Sequence, residues 1–296
     1  MKPKVLVLKT DGINCDEELA FAFALAGGNA KILHINELRT NNYKLNDFQI
    51  LAIPGGFSYG DDIVSGKILA VELISFFSEE LSKFIERKDT LIIGICNGFQ
   101  VLIRTGLLPF GSIGKMDATL TNNDSGHFEC RWINLKIEPK SKCVFLNNSN
   151  TSDGADEGAR LLDRRGGRLI LSEVEGEAMT PPRWTNNGII SFQVAHGEGK
   201  FFAKESVIKK IEKEKLVVFR YVDSQGNLTQ KYPDNPNGSP HAIAGVCDPT
   251  GRILGLMPHP ERFVRITQYP NWRRMPNLEP QGLPIFEKMV KHAMQM

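Results

Sequence analysis

Thr90-Leu91-Ile92-Ile93-Gly94-Ile95-Cys96-Asn97-Gly98-Phe99-Gln100 is the stretch on which fold and chemistry turn together. Residues 90–95 are almost wholly apolar or β-branched and predict a buried strand, whereas residues 99–104 carry a helical pattern. Cys96 stands at the junction, with glycine two positions before it and two after it. That is the layout of a nucleophile elbow, in which a strained turn lifts a reactive atom above the sheet and the flanking side chains must be small. A helix starting there aims amide N–H groups and its positive dipole end at the sulfur, and both favour negative charge on it. The N–H of Asn97, the next residue, is placed to meet an oxyanion. Glycine–x–cysteine–x–glycine has many chance matches, so the strand-to-helix context carries the catalytic reading.

Outward from this stretch, the first half alternates strand and helix signals. Strands are predicted at residues 4–9, 30–35 and 50–53, with a helix over 16–26 ended by Gly27-Gly28 and helical patterns over 68–77 and 79–87. Short apolar strands separated by helices indicate a parallel sheet covered on both faces, and ligands in such sheets collect at the carboxyl ends of the strands. The second half is richer in strand signals, at 129–137, 188–194, 216–221, 242–247 and 252–257, read as antiparallel additions before a closing helix over 284–292. Residues 149–186 interrupt this pattern. No lysine occurs between Lys142 and Lys200, and Gly166-Gly167, Pro181-Pro182 and an acidic run fall inside the stretch. It reads as an acquired surface insertion in one domain spanning 1–296.

Composition excludes several classes. Lysine plus arginine number 36 against 34 acids, a net charge of +2 that implies no general affinity for nucleic acid. No apolar run reaches the roughly 18–20 residues of a membrane span, and no small-residue cleavage site follows the first strand, so a cytoplasmic protein is expected. Five cysteines, widely spaced and without a CxxC pair, argue against a disulfide framework or a structural zinc.

A second loop, Pro54-Gly55-Gly56-Phe57-Ser58-Tyr59-Gly60-Asp61-Asp62, also follows a strand. Its paired glycines allow close backbone approach and free N–H groups, and beside an elbow cysteine they read as a second oxyanion donor. A phosphate loop does not fit, because no Lys-Ser/Thr follows the glycines.

A cysteine nucleophile needs a base and a group to hold it. Six histidines are available, and two of them follow a strand with a glutamate two residues on: His259 in Pro258-His259-Pro260-Glu261, and His196 in Ala195-His196-Gly197-Glu198-Gly199. If the backbone is extended, both pairs place imidazole and carboxylate on one side. On physics alone the two are nearly matched.

These motifs together resemble the class I (triad) glutamine amidotransferases. Within that class the Phe-Ser-Tyr-Gly-Asp and Cys-Asn-Gly-Phe-Gln wording is similar to the glutaminase components of phosphoribosylformylglycinamidine synthases, and the matching segments run over most of the chain. The resemblance implies a flavodoxin-like α/β fold with Cys96, His259 and Glu261 as the triad. It further implies Gly56 and Asn97 as oxyanion donors, and Gln100, His196 and Gly197 as glutamine-binding. No cofactor is implied in this chain. The partner would be an ATP- and magnesium-dependent synthetase large subunit, with or without a small bridging subunit. Two features, residues 220–240 and the tail around 272–280, look more like the amidotransferase end of a single-chain synthase. The readings left beside this one are a triad glutaminase or amidohydrolase of another pathway, a cysteine peptidase, and a non-catalytic binding subunit on the same fold.

Overall fold

The computed structural model describes residues 2–40, 42–146 and 188–296; the insertion expected at 149–186 lies outside the described residues. Strands β1 (Lys4–Lys9), β2 (Asn29–His34), β3 (Ile50–Ile53) and β4 (Leu91–Ile95) form where β-branched and leucine residues run together, and β3 and β4 are buried at every position. Helices α1 (Asp16–Leu25), α2 (Ile35–Arg39), α3 (Lys67–Glu86) and α4 (Asn97–Arg104) connect or follow them. Strands β1 to β4 pair in parallel, as short strands joined through helices must.

The later elements are β5 (Ala118–Thr121), β6 (Glu129–Ile137), β7 (Ile189–His196), β8 (Lys200–Ala203), α5 (Glu205–Lys213), β9 (Val217–Val222), β10 (Ile243–Cys247), β11 (Ile253–Leu256) and α6 (Leu283–Gln295). One nine-stranded sheet has the order β2-β1-β3-β4-β11-β10-β9-β6-β7, and β5 with β8 makes a separate two-stranded ribbon. Helices α1 and α6 pack together through Phe23 and Phe286, whose rings meet edge-on at 5.0 Å, while α3 and α4 pack against each other. Right-handed crossovers leaving β1 and β3 in opposite directions put these two pairs on opposite faces of the sheet.

Three expectations are corrected. The patterns at 68–77 and 79–87 belong to one 20-residue helix, α3, not two, because no glycine or proline interrupts it. The segment predicted at 252–257 does not join the antiparallel group alone: β11 is antiparallel to β10 but parallel to β4, so the last strand in sequence sits at the centre of the sheet. Strands β5 and β8 and helix α5 add to the elements expected from the sequence; two four-residue strands and a nine-residue helix carry too short a periodic signal.

The antiparallel half curls. Gln193 of β7, nominally the far edge, forms a bridge with His259, just beyond β11, and the His259 N–H donates to the Gln193 carbonyl at 2.8 Å. The end of β7 is thereby brought over the carboxyl ends of β3, β4 and β11.

Candidate active site

Cys96 has φ 52° and ψ −105°, a conformation a side-chain-bearing residue rarely adopts and one that costs roughly 1–3 kcal/mol. The flanking glycines are required by close approach. A Cβ at Gly98 would lie 2.0 Å from the Ile53 carbonyl oxygen, and one at Gly94 would lie 2.5 Å from the Gly98 carbonyl oxygen. The expected elbow is therefore present: β4 ends, the chain turns sharply at Cys96, and α4 begins at Asn97. The thiol points across the sheet end and meets the Ala195 carbonyl at 3.5 Å.

Strand β11 lies beside β4 with Leu256 opposite Ile95, so the segment after β11 emerges next to Cys96. His259 there is buried, and its Nδ1 lies 2.5 Å from Glu261 Oε1, itself buried. The reason both side chains share a side differs from the sequence expectation. Residues Pro260–Phe263 form a 3-10 turn, not an extended segment, and this turn folds Glu261 back under the imidazole. Burial opposes charge on His259, but the Glu261 carboxylate and Cys96 overcome it and hold the imidazole pKa well above the ordinary histidine range. The second nitrogen, Nε2, has no hydrogen-bond acceptor or donor fixed upon it.

On the other side of β4, Pro54-Gly55-Gly56 leaves β3. A Cβ at Gly55 would sit 2.7 Å from His259 Cε1 and 3.4 Å from Cys96 Cβ, so only glycine lets this loop close over the pair. Gly56 has φ +128° and bridges to Ile13.

His196, the rival, is placed close by but in a different electrostatic setting. Its Nδ1 pairs with Asn123 Oδ1 at 3.0 Å, not with Glu198, and burial together with the positive charge of His259 lowers its pKa to about 3. It is a neutral imidazole with a buried, unpartnered Nε2. Glu198 turns away, its carboxylate 3.9 Å from the Arg104 guanidinium. A Cβ at Gly199 would fall 2.3 Å from the His196 ring, which explains the glycine there.

Gln100 is buried at the site, but its groups are engaged by protein. Its Oε1 accepts from Asn97 Nδ2 at 3.0 Å and its Nε2 donates to the Glu198 carbonyl at 2.7 Å, tying α4 to the 196–199 loop. Asp61 accepts from the same Asn97 amide at 3.0 Å. Gly197 lies beneath Phe128, and the exposed rings of Phe128 and Phe57 stack at 6.3 Å on the rim.

Sequence reasoning misses three residues: Cys15, Glu18 and Arg262. Cys15, in the loop after β1, is buried and its Sγ would touch the same Gly55 Cβ at 3.2 Å. Arg262, next to Glu261, donates to Cys15 Sγ at 3.2 Å and to Glu18 Oε1 at 2.9 Å. The signal available is position alone, since Cys15 follows the first strand of a parallel sheet. Cys15, Glu18, His259 and Glu261 bring donor atoms within 4.8 Å of one another, in the manner of a cation site. Arg262 already serves as the cation of that cluster. Among the described residues no helix is long and apolar enough to cross a membrane.

The chain matches the CobB/CobQ-like glutamine amidotransferase domain over residues 2–155 and 179–293. It is 42% identical to the phosphoribosylformylglycinamidine synthase subunit PurQ of Dehalococcoides mccartyi, over 100% of this chain and 99% of that protein. It is 36% identical to the subunit of the same name from Methanococcus maripaludis, over 100% of this chain and 96% of the other. A phosphoribosylformylglycinamidine synthase from Dictyostelium discoideum is 33% identical over 90% of this chain but only 17% of its own length. Among solved structures, a chain of PurLQS from Thermotoga maritima superposes with a TM-score of 0.64 at 27% identity, covering 98% of this chain and 99% of the other. With the α/β sheet, the elbow cysteine and a match over most of its length, this chain belongs to the CobB/CobQ-like glutamine amidotransferase family.

Proposed function

We propose that this chain hydrolyses glutamine with a Cys96–His259–Glu261 triad and delivers the ammonia to an ATP-dependent synthetase that makes formylglycinamidine ribonucleotide. The observation that carries the reading is the convergence of a strained elbow cysteine with a buried 2.5 Å His259–Glu261 pair from the neighbouring strand. The full-length similarity to subunits named for that synthase supports the choice of pathway.

The chemistry follows from the charges. Glu261 and Cys96 favour the imidazolium of His259, so the sulfur attacks the carboxamide carbon of glutamine as a thiolate. The carbonyl oxygen becomes an oxyanion held by the backbone N–H groups of Gly56 and Asn97, which no backbone hydrogen bond between described residues uses. His259 then gives its proton to the departing nitrogen, ammonia leaves, and a γ-glutamyl thioester remains on Cys96. Neutral His259 takes a proton from water, hydroxide attacks the thioester, and glutamate departs as the imidazolium–thiolate pair is restored. His196 and Gly197 line the glutamine pocket, and Gln100 shapes it by holding the 196–199 loop. ATP and magnesium belong to the synthetase partner, with this chain, a cytoplasmic domain carrying an insertion at about 149–186, holding neither.

The test is intact-mass analysis after exposure to a glutamine-mimicking chloroketone, with the synthetase partner present, for wild type and Cys96→Ser. One adduct on the wild type and none on the variant is expected. The companion measurement is Cys96→Ala, which should lose glutamine-dependent turnover by about 10⁴-fold or more while the complex still uses added ammonia. Labelling of both proteins, or of neither, removes Cys96 as the nucleophile. Release of peptides and not ammonia would make the chain a peptidase.

A further inference from the structure

The triad turn is anchored at one point to a distant part of the chain. Arg262 reaches back 244 residues to Glu18 on α1 through Nε, and 247 residues to Cys15 through Nη2. Cys15 is buried with its Sγ within 4.8 Å of a His259 ring nitrogen, and its thiol meets Asn14 Oδ1 at 3.3 Å. The charged and titratable groups acting on the Arg262 guanidinium are Cys15 from the β1–α1 loop, Glu18 from α1, and Glu261 from its own turn. Burial disfavours charge on Arg262, and Cys15, Glu18 and Glu261 outweigh it, so the guanidinium remains cationic. Burial likewise pushes the Cys15 thiol up, against the opposing pull of His259 and Arg262.

Glu261 Oε2 is buried without a hydrogen-bond partner, so the position of that carboxylate depends on the turn that carries it. Its other oxygen is committed to His259. The Arg262 cation, on the next residue, holds that turn through its two contacts. Glu18 and Cys15 fix where that cation sits, because a guanidinium held by two groups at set angles cannot swing to solvent as a lysine would.

We propose that Arg262, clamped by Glu18 and Cys15, is a positioning residue that fixes the turn carrying Glu261 and so keeps the His259 imidazole aimed at Cys96. The inference rests on the triad reading above and adds to it a device outside the triad. The clamp acts on the turn and touches no substrate, so its loss should reduce kcat and leave glutamine binding in place. Removing a positive charge makes each nearby proton loss harder, and the acidic limb of the pH profile should therefore move to higher pH.

The experiment measures glutamine-dependent and ammonia-dependent turnover of the chain with its synthetase partner, for wild type, Arg262→Gln, Arg262→Lys and Glu18→Gln, across pH. Arg262→Gln should lose about 10–100-fold in kcat, as expected for a catalytic group displaced by an ångström, with KM for glutamine within about twofold. Its acidic limb should shift upward, and its ammonia-dependent rate should equal that of wild type. Arg262→Lys keeps the charge and should restore the limb position while recovering only part of kcat; Glu18→Gln should fall between. A loss of kcat with no movement of the limb, or one accompanied by an equal loss of ammonia-dependent turnover, would reduce the clamp to packing. An unchanged kcat would also overturn the inference. A wild type without glutamine-dependent turnover would instead sink the functional reading, which distinguishes the two failures.

Discussion

His259 and His196 stand at the ends of two strands, each with a glutamate two residues on, and they have opposite electrostatics. After His259, Pro260 opens a 3-10 turn that returns Glu261 to 2.5 Å from the ring. After His196, glycines at 197 and 199 carry Glu198 away toward Arg104, and the ring is left with an amide, Asn123. One imidazole is consequently favoured as a cation and the other is held neutral. The difference teaches that a His-x-Glu spacing specifies an imidazole–carboxylate pair only together with the backbone path between its members.

The largest expected effect breaks or upholds this contrast directly. His259→Asn should lower glutamine-dependent kcat by about 10³-fold or more, because base and acid vanish together. His196→Asn should act mainly on KM, with a kcat loss of about tenfold or less. Steady-state kinetics on the two variants in the synthetase complex checks this, and equal kcat losses would erase the distinction.

A smaller but sharper contrast lies in the carboxylates. Glu261→Gln should cost about 10²–10⁴ in kcat, since an amide cannot stabilise the imidazolium and can favour the wrong tautomer. Glu198→Gln should cost less than about tenfold, its carboxylate facing Arg104 at 3.9 Å. Rates of γ-glutamyl thioester formation, read by rapid quench, separate the two; a Glu198 effect as deep as that of Glu261 would return His196 to candidacy.

The smallest effect is on stability, where the histidines should have opposite signs. The folded pKa of His196, about 3, lies below the unfolded value of roughly 6.5, so the unfolded chain binds the proton more readily and stability falls as pH drops through 6.5 toward 3. His259 has a raised folded pKa, so its contribution is complete below about 6.5 and is lost as pH rises through the folded value. Thermal unfolding from pH 4 to 9 should therefore show His196→Gln flattening the acid side and His259→Gln the alkaline side. Curves parallel to wild type for both variants would contradict these protonation assignments.

Much of the site is legible in the amino-acid sequence. Cys96 is readable because an elbow is local: strand, turn and helix follow within about ten residues, and the glycines it needs are sequence neighbours. His259 is legible as one of two candidates. Glu261 is reached through an extended geometry that the 3-10 turn replaces. Cys15 and Arg262 are illegible, because neither carries a motif and their contact spans 247 residues.

By itself, then, the sequence determined the parallel strands β1 to β4, the elbow, and the two loops richest in glycine, since periodicity and local sterics act over a few residues. Only the tertiary structure decided that β11, last in the chain, enters between β4 and β10 and presents His259 beside Cys96. It also decided that the antiparallel half curls until β7 meets His259, and that Arg262 closes onto α1. Strand order and curl depend on which faces bury one another across hundreds of residues, and no local pattern encodes that choice.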